Sequence, residues 1–283
     1  MKKVIQISPS KSGYFYHMGK WIDMDGDGRK DYLTARTNAK AGMGELVWYK
    51  HPEDFYGSGD TWEENILTKG PDVMFDVQTI QGYEGIIVFA SEFFNKRVTL
   101  YQIINGKVGL SRVIDNSIDQ AYSVHYLDID DDGNFELLVN NHETDNAQAG
   151  IFLYSVPQDL FHGDFTRTQI ASGFKNAYSL FIPNMCPGFP YAVYPGPGQQ
   201  KHILVAGDGD YSAHLMRPDG KGTFTREVIK NLGGTVGAIT TYDFDGDGFL
   251  EFFVPNYDKN YIEVYQFYEG PNYLGPVENQ FLQ

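Results

Sequence analysis

The chain has 283 residues and a formal charge of −15, from 37 acidic against 22 basic side chains. This excess of acid, with no basic patch, argues against nucleic acid or an anionic membrane surface as a partner. No segment reaches the roughly 18 consecutive apolar residues of a membrane span, and the lone Cys186 allows no intrachain disulfide.

The N-terminal segment has the pattern of a short strand. Residues 2–8 read "KKVIQIS", and the first ten residues lack the apolar core of a signal peptide. We therefore expect either a cytosolic protein or one whose signal was removed before Met1.

An acidic motif follows and recurs twice. The copies are "DMDGDGRKD" at 23–31, "DIDDDGNFE" at 128–136 and "DFDGDGFLE" at 243–251, all of the form D-x-D-x-D-G-x-x-[DE]. Three matches in one chain of ordinary composition are not chance. Each copy is followed by an apolar run, a polar loop and a second apolar run with an aromatic residue.

This succession defines five repeats of about 55 residues, a period typical of propellers and solenoids. The repeats span approximately 11–70, 71–118, 119–173, 174–230 and 231–283. Each holds four short strand-like runs, except that the fifth lacks its own fourth run. The sequence therefore predicts a single all-β domain, a five-bladed β-propeller of four-stranded antiparallel blades, in which residues 2–8 complete the last blade.

The clustered carboxylates of each motif call for a hard cation. Asp, Glu and backbone oxygens suit Ca²⁺, and the glycine permits the sharp turn that lets alternate side chains converge. An EF-hand is excluded, because its twelfth-position Glu is replaced by Thr34, Val139 and Val254. Three calcium sites are predicted, held by side chains one, three, five and nine and by the carbonyl of residue seven. These ligands are Asp23, Asp25, Asp27, Arg29 and Asp31; Asp128, Asp130, Asp132, Asn134 and Glu136; and Asp243, Asp245, Asp247, Phe249 and Glu251.

The chain resembles the FG-GAP or VCBS-type calcium-binding propeller repeats, including those of integrin α-subunits, through these three motifs. The resemblance implies calcium loops between the first two strands of a blade, a structural role for the ion and an extracellular setting. Repeats two and four depart from the pattern, because "QTIQGYEG" is short and poor in acids and "PNMCPGFPYAVYPGPGQQ" is rich in Pro and Gly.

A ligand site is expected on the opposite loop face, where the second and third strands of each blade connect. Counting seven residues beyond each ninth-position acid reaches Asn38, Glu143 and Asp258, and Glu92 aligns with them in repeat two. Arg36, His142 and Asp208 lie beside these positions in the sequence. Loops held by a rigid scaffold commonly carry binding groups, so pseudo-symmetry predicts one ring of polar residues there.

Two functions are compatible with such a ring. The first is a lectin-like binding module for a glycan, a small polar ligand or an extracellular protein, and the second is a hydrolase or lyase with a carboxylate and His site. No nucleophile elbow, Walker loop, HExxH motif or dinucleotide fingerprint is present. A purely structural assembly protein is a third possibility, and a secreted location is favoured over the cytoplasm.

Overall fold

The computed structural model describes residues 5–54, 62–177, 184–220, 222–268 and 274–276. Within these ranges the regular structure is β-strand without helix, and the paired strands run antiparallel. The predicted all-β, four-stranded antiparallel architecture is confirmed. None of these residues forms a helix that is long and apolar enough to cross a membrane.

The described strands form four-stranded sheets in which neighbours in the sheet are neighbours in the chain. Such meanders need only short connections, because consecutive antiparallel strands can be joined by hairpins. The bounds, with four strands to each sheet in order, are β1 Phe15–Ile22, β2 Asp31–Asn38, β3 Met43–Lys50, β4 Glu63–Lys69; β5 Phe75–Gln78, β6 Ile86–Glu92, β7 Arg97–Ile104, β8 Lys107–Asp115; β9 Ala121–Leu127, β10 Glu136–Asn141, β11 Gly150–Ser155, β12 Thr166–Ser172; β13 Pro190–Val193, β14 His202–Ala206, β15 Ser212–Pro218, β16 Phe224–Asn231; β17 Thr240–Tyr242, β18 Glu251–Asn256, β19 Tyr261–Phe267, β20 Leu274–Pro276.

Burial differs sharply between the inner and outer strands of a sheet. Strand β6 is buried at every position, and β14 likewise, whereas β4 and β16 alternate between exposed and half-buried residues. Continuous apolar runs such as "IIVFA" suit strands covered on both faces, while alternation suits strands with one solvated face. The hydrophobic pattern thus sets which strands lie in the middle of each sheet.

Two compact units share the chain, one comprising Met1–Tyr126 with Pro157–Asp164 and the other Leu127–Val156 with Phe165–Gln283. In the first unit, Leu33 and Trp48 of the first sheet pack in one core with Val88 of the second. The second unit contains a core that includes Leu138 and Val205, and another that includes Leu204, Val254 and Phe267.

The predicted closure by the N-terminal strand is wrong for the residues described. Residues 5–8 form no strand, and residues 2–4 lie outside the described part of the chain. The fourth strand of the fifth sheet is instead β20, which pairs with β19. The apolar Ile7 packs beside Val47 and Trp62 in the first unit, and its carbonyl accepts a hydrogen bond from the Trp62 amide at 3.0 Å.

A buried ion-pair network fixes the first sheet. The Arg36 guanidinium is fully buried and donates to the carboxylates of Glu45 and Glu64 at 2.6–3.0 Å and to the Tyr49 hydroxyl at 3.1 Å. These partners are themselves largely withdrawn from water. Arg36 was expected on the ligand face, but its burial among these groups assigns it to the packing of this sheet.

Replacing Arg36 by Leu should therefore destabilise the protein strongly. Two largely buried carboxylates would lose their buried cation and keep the Lys11 ammonium at the longer distances of 3.6 and 3.8 Å. Removing one partner of a buried ion pair typically costs about 3 kcal/mol or more. Urea unfolding of Arg36→Leu measures this loss. Arg217→Leu is the matched control, because its partner Glu227 is 45% exposed and such surface pairs contribute less than about 1 kcal/mol. Equal losses in the two variants would contradict the structural importance of the network.

Candidate metal centres and a polar loop cluster

The three acidic loops occupy equivalent places in their sheets. They join β1 to β2, β9 to β10 and β17 to β18, as predicted for loops between the first two strands. In each loop the ninth-position acid is also the first residue of the second strand. The motif therefore couples the loop to the start of an inner strand of the sheet.

The first-position Asp organises each loop through backbone hydrogen bonds. Asp23 accepts from the amides of Gly26 at 2.7 Å and Gly28 at 2.8 Å, and Asp243 accepts from the amides of Gly246 and Gly248 at 2.8 and 3.0 Å. In the middle loop Asp128 accepts from the amides of residues 132 and 133 at 3.2 and 2.9 Å. The same side chain thus closes the same turn three times.

Two positions of each loop require a left-handed backbone. Residue six is Gly in all three loops, with φ between 86° and 90°. Residue four is Gly26 or Gly246 in the outer loops but Asp131, with φ 64°, in the middle loop. Asp tolerates this region better than most residues, which explains how the middle copy keeps the turn without its first glycine.

The ninth-position acid holds the start of its loop. One oxygen of Asp31, Glu136 or Glu251 accepts the amide of the loop's second residue at 2.9–3.1 Å. Burial raises the pKa of all three acids, and neighbouring loop carboxylates raise it further. Each loop therefore concentrates negative charge around a partly desolvated carboxylate.

Carboxylate oxygens converge in each loop closely enough to hold a metal ion. The converging oxygens lie within 4.8 Å of one another in each of the clusters Asp23–Asp25–Asp27, Asp128–Asp130–Glu136 and Asp243–Asp245–Glu251. The third cluster has a further feature, because Glu251 is fully buried and its Oε1 has no hydrogen-bond partner among the described residues. A buried oxygen without a donor is costly, and a bound cation would satisfy it. The donor set therefore fits a hard, oxygen-preferring ion.

Three predicted ligand-face residues meet in the second unit. His142 follows β10, Asp208 lies between β14 and β15, and Asp258 lies between β18 and β19. The His142 Nε2 is 3.8 Å from the Asp208 Oδ2. The Asp208 amide donates to the Val236 carbonyl at 3.0 Å, and the adjacent Thr235 donates its amide and hydroxyl to the Asp258 Oδ2 at 2.7 and 2.8 Å. We call His142, Asp208 and Asp258 the loop cluster.

The pair at its centre has unusual electrostatics. Burial lowers the pKa of His142 to about 4, and burial raises the pKa of Asp208 to about 6, with Asp210 and Asp258 adding to the rise. The His142 Nδ1 lies 3.0 Å from the Pro187 carbonyl, which can only accept, so Nδ1 carries the proton. In the neutral ring Nε2 therefore carries the lone pair, and Nε2 is the nitrogen that lies nearer the Asp208 carboxyl group.

Glu143 sits at the margin of this cluster. It is 6% exposed, and its backbone exchanges two hydrogen bonds with Cys186 at 2.9 and 3.0 Å. Asn176 donates to its carbonyl at 2.9 Å. The structure thus uses the main chain of Glu143 to fasten the loop after β10.

The predicted residues of the first unit have different surroundings. Glu92 is fully buried and accepts from Arg97, Asn95 and Tyr101 at 2.7 Å. Asn38, at the end of β2, accepts the Ala41 amide at 3.1 Å and so caps the hairpin turn. Glu92 and Asn38 both serve hairpin geometry here, and the single ring spanning all the repeats stays a prediction.

Sequence reasoning missed the segments that lead into each new sheet. Thr235 and Val236, before β17, touch the loops of Asp208 and Asp258, and Met185 and Cys186, before β13, bond to the loops of Gly209 and Glu143. In the first unit, Asp72 before β5 accepts the amides of residues 93 and 94 at 2.7 and 2.9 Å. These segments share no motif, so only the fold identifies them.

Comparison with known proteins identifies one repeat. Residues 202–254 match the profile of an FG-GAP-like repeat, which confirms the predicted FG-GAP-type resemblance on a segment that contains the third acidic loop. No curated protein matches the chain. A solved luciferin-regenerating enzyme aligns over 89% of this chain and 71% of its own, with 8% identity and a TM-score of 0.47. A likeness of this size transfers neither a fold nor an activity.

The pKa values of the central pair predict opposite pH dependences. The Asp208 pKa is raised from 3.8 to about 6, so the unfolded state loses its proton first and this group lowers stability as pH rises through that range. The His142 pKa is lowered from 6.5 to about 4, so the unfolded state gains its proton first and this group lowers stability as pH falls. The two effects oppose each other in the parent protein.

Single substitutions should separate them. Relative to the parent, Asp208→Asn should gain on the order of 2 kcal/mol of stability as pH rises from about 4 to 7, and His142→Gln should gain a similar amount as pH falls. Urea unfolding at several pH values and fixed calcium measures both slopes. Parallel profiles for the parent and both variants would show that the two groups titrate as in the unfolded chain.

Proposed function

We propose that this chain is a calcium-stabilised β-propeller of the FG-GAP type that acts as a binding module. The observation that carries the proposal is the buried, unpartnered Glu251 Oε1 among the carboxylates of the third loop, inside the segment that matches the repeat. The four-stranded meanders and the equivalent place of the three loops support the propeller.

The residues that would hold calcium are the loop carboxylates and the seventh-position carbonyls. When bound, the ion would neutralise mutually repelling carboxylates and supply oxygen coordination. The chain itself positions these groups before the ion binds. The first-position Asp and the ninth-position acid do so by accepting hydrogen bonds from backbone amides of the loop. Calcium is therefore expected to stabilise the fold rather than to take part in a reaction.

The ligand site that we propose is the loop cluster of the second unit, on the connections away from the acidic loops. Asp258 is exposed, and both of its bonds to Thr235 use one oxygen, Oδ2. The neighbouring Tyr257 is 80% exposed. A carboxylate beside an exposed aromatic ring suits a sugar, since hydroxyls donate to the carboxylate and the ring offers an apolar face. A glycan, free or on an extracellular protein, is thus the favoured ligand class.

An acid–base enzyme is the second candidate, and the His142–Asp208 pair favours it. A neutral His with its Nδ1 proton held by a carbonyl presents Nε2 as a base, and a carboxyl with a pKa near 6 can exchange protons near neutral pH. A hydrolase or lyase could use such a pair. A secreted location fits both functions, because extracellular calcium would fill sites of modest affinity.

Calcium should raise the melting temperature, and Glu251 should govern much of the effect. A site at tenfold excess over its Kd contributes about 1.4 kcal/mol. Glu251→Gln should melt at a higher temperature than the parent in EDTA, because a buried charge is removed, yet gain less from calcium. Scanning calorimetry with and without calcium measures both changes.

Glu227→Gln, on the exposed strand β16, is the control and should respond to calcium like the parent. A melting temperature that is unaffected by calcium in the parent protein would overturn the calcium proposal.

The two functions can be separated on one panel of sugars. Saturation-transfer NMR with glucose, galactose, mannose and N-acetylglucosamine should show binding that Tyr257→Ala and Asp258→Asn weaken at least fivefold. His142→Gln should preserve this binding if the site binds the sugar without catalysing a reaction. Hydrolysis of the matching nitrophenyl glycosides that disappears in His142→Gln would establish the enzyme instead. Binding unchanged in all three variants would place the site elsewhere.

A further inference from the structure

The three acidic loops differ in the cations that the protein itself supplies. In the first loop the Lys50 ammonium pairs with Asp25 and lies 3.6 Å from the Asp27 carboxylate. The Arg29 guanidinium donates to the same Asp27 at 2.6 Å. Two basic side chains of the chain therefore engage carboxylates that are predicted metal ligands.

The corresponding positions in the other loops are neutral. Lys50 ends β3 one position beyond Tyr49, which pairs with Tyr32, so continuing the register places it opposite the ninth-position acid. Its counterparts in the other sheets are Ser155, which pairs with Glu136, and Gln266, which pairs with Glu251. Gln266 donates to Asp247 at 3.0 Å, which is an uncharged contact. The counterparts of Arg29 are Asn134 and Phe249.

Lys201 is the basic residue at the second loop, but it has different partners. Its ammonium contacts the Asp128 carbonyl at 2.8 Å and the carboxylate of Asp131, the fourth loop position. Asp131 is not a predicted ligand, so Lys201 balances an extra acid rather than the metal-binding set. Counting the acids of each loop and the basic side chains in it or against it, the local formal charge is −4 + 3 = −1 in the first loop, where the exposed Lys30 adds to Arg29 and Lys50. It is −5 + 1 = −4 in the second loop and −4 in the third.

We propose that the three loops differ in their affinity for a divalent cation and so form a graded series. The third loop is the tightest site, and Lys50 and Arg29 lower the affinity of the first. This inference rests on the proposed calcium binding. Lys50 and a divalent ion compete for the Asp25 and Asp27 oxygens, so occupancy of the first loop requires the lysine to leave. Among the residues that the structure describes, the third loop has no such competitor, and its Glu251 Oε1 has no hydrogen-bond partner.

A second carboxylate is within reach of the Lys50 ammonium when it leaves the loop. It pairs in strand register with Glu63, and both residues line an open groove of about 510 Å³ together with Asp25, Asn65 and Lys107. The ammonium can therefore reach another carboxylate without crossing packed side chains. The first loop is consequently weakened as a metal site and not abolished, and it responds to calcium at higher concentration than the third.

Calcium titration of the intact chain by isothermal calorimetry tests the series. The parent should bind in at least two affinity classes, and Lys50→Gln should tighten the weakest class by about tenfold, the scale of removing one charge next to a divalent ion in water. Ser155→Lys is the reciprocal variant and should weaken one of the tighter classes. Lys107→Gln, in the same groove, is the matched control and should change nothing.

The outcomes distinguish this inference from the proposed function. Three equal affinities in the parent, or a Lys50→Gln titration within twofold of the parent, would overturn the graded series while leaving calcium binding intact. The same tightening in Lys107→Gln would show a general charge effect and would also overturn it. No heat of calcium binding up to millimolar concentration in the parent would overturn both.

Discussion

The repulsion between carboxylates at the start of a β-strand is the constraint on which much of this structure depends. Four acids within nine residues are stable together only if backbone amides, basic side chains or a cation balance them. The loops use the first means throughout, with Asp23, Asp128 and Asp243 each accepting two amides. The loops differ in their use of basic side chains, because Lys50 pairs with carboxylates of the first loop whereas the third loop is contacted by the neutral Gln266. The same motif therefore produces sites of different electrostatic character.

The polar residues at the other end of the strands differ from one another in their hydrogen-bond partners and pKa values. Glu92 is saturated by three donors, whereas His142 and Asp208 face each other with pKa values displaced in opposite directions. Structural polar groups are normally fully paired, and groups with perturbed pKa values in a cluster are candidates for function. This contrast is why the second unit, rather than every repeat equally, is the proposed location of the ligand site.

Much of the fold could be predicted from the sequence because its signals are local. The strand runs and the acidic turns depend on residues a few positions apart, and they were found where expected. The partner of an edge strand is not a local property: "KKVIQIS" and the segment of Leu274–Pro276 both suit an edge, and the choice depends on where Ile7 finds apolar neighbours. Arg36 was misplaced for a similar reason, because its two carboxylate partners lie nine and 28 residues away. The meeting of His142 with Asp208 followed from repeat alignment, but their pKa shifts depend on burial that a repeat pattern does not encode.

The meander order of the sheets has a consequence for how the chain folds. Each strand in these sheets pairs with strands next to it in the sequence. Every sheet can therefore form as soon as its fourth strand has left the ribosome, and no early strand has to remain unpaired until a distant strand is made. Such short-range pairing keeps loop-closure entropy small and limits the time for which unpaired strand edges are open to aggregation. The fifth sheet follows the same rule, since its last strand, β20, comes from its own repeat. We therefore expect synthesis from the N-terminus to assemble the sheets one after another, with the third acidic loop formed last.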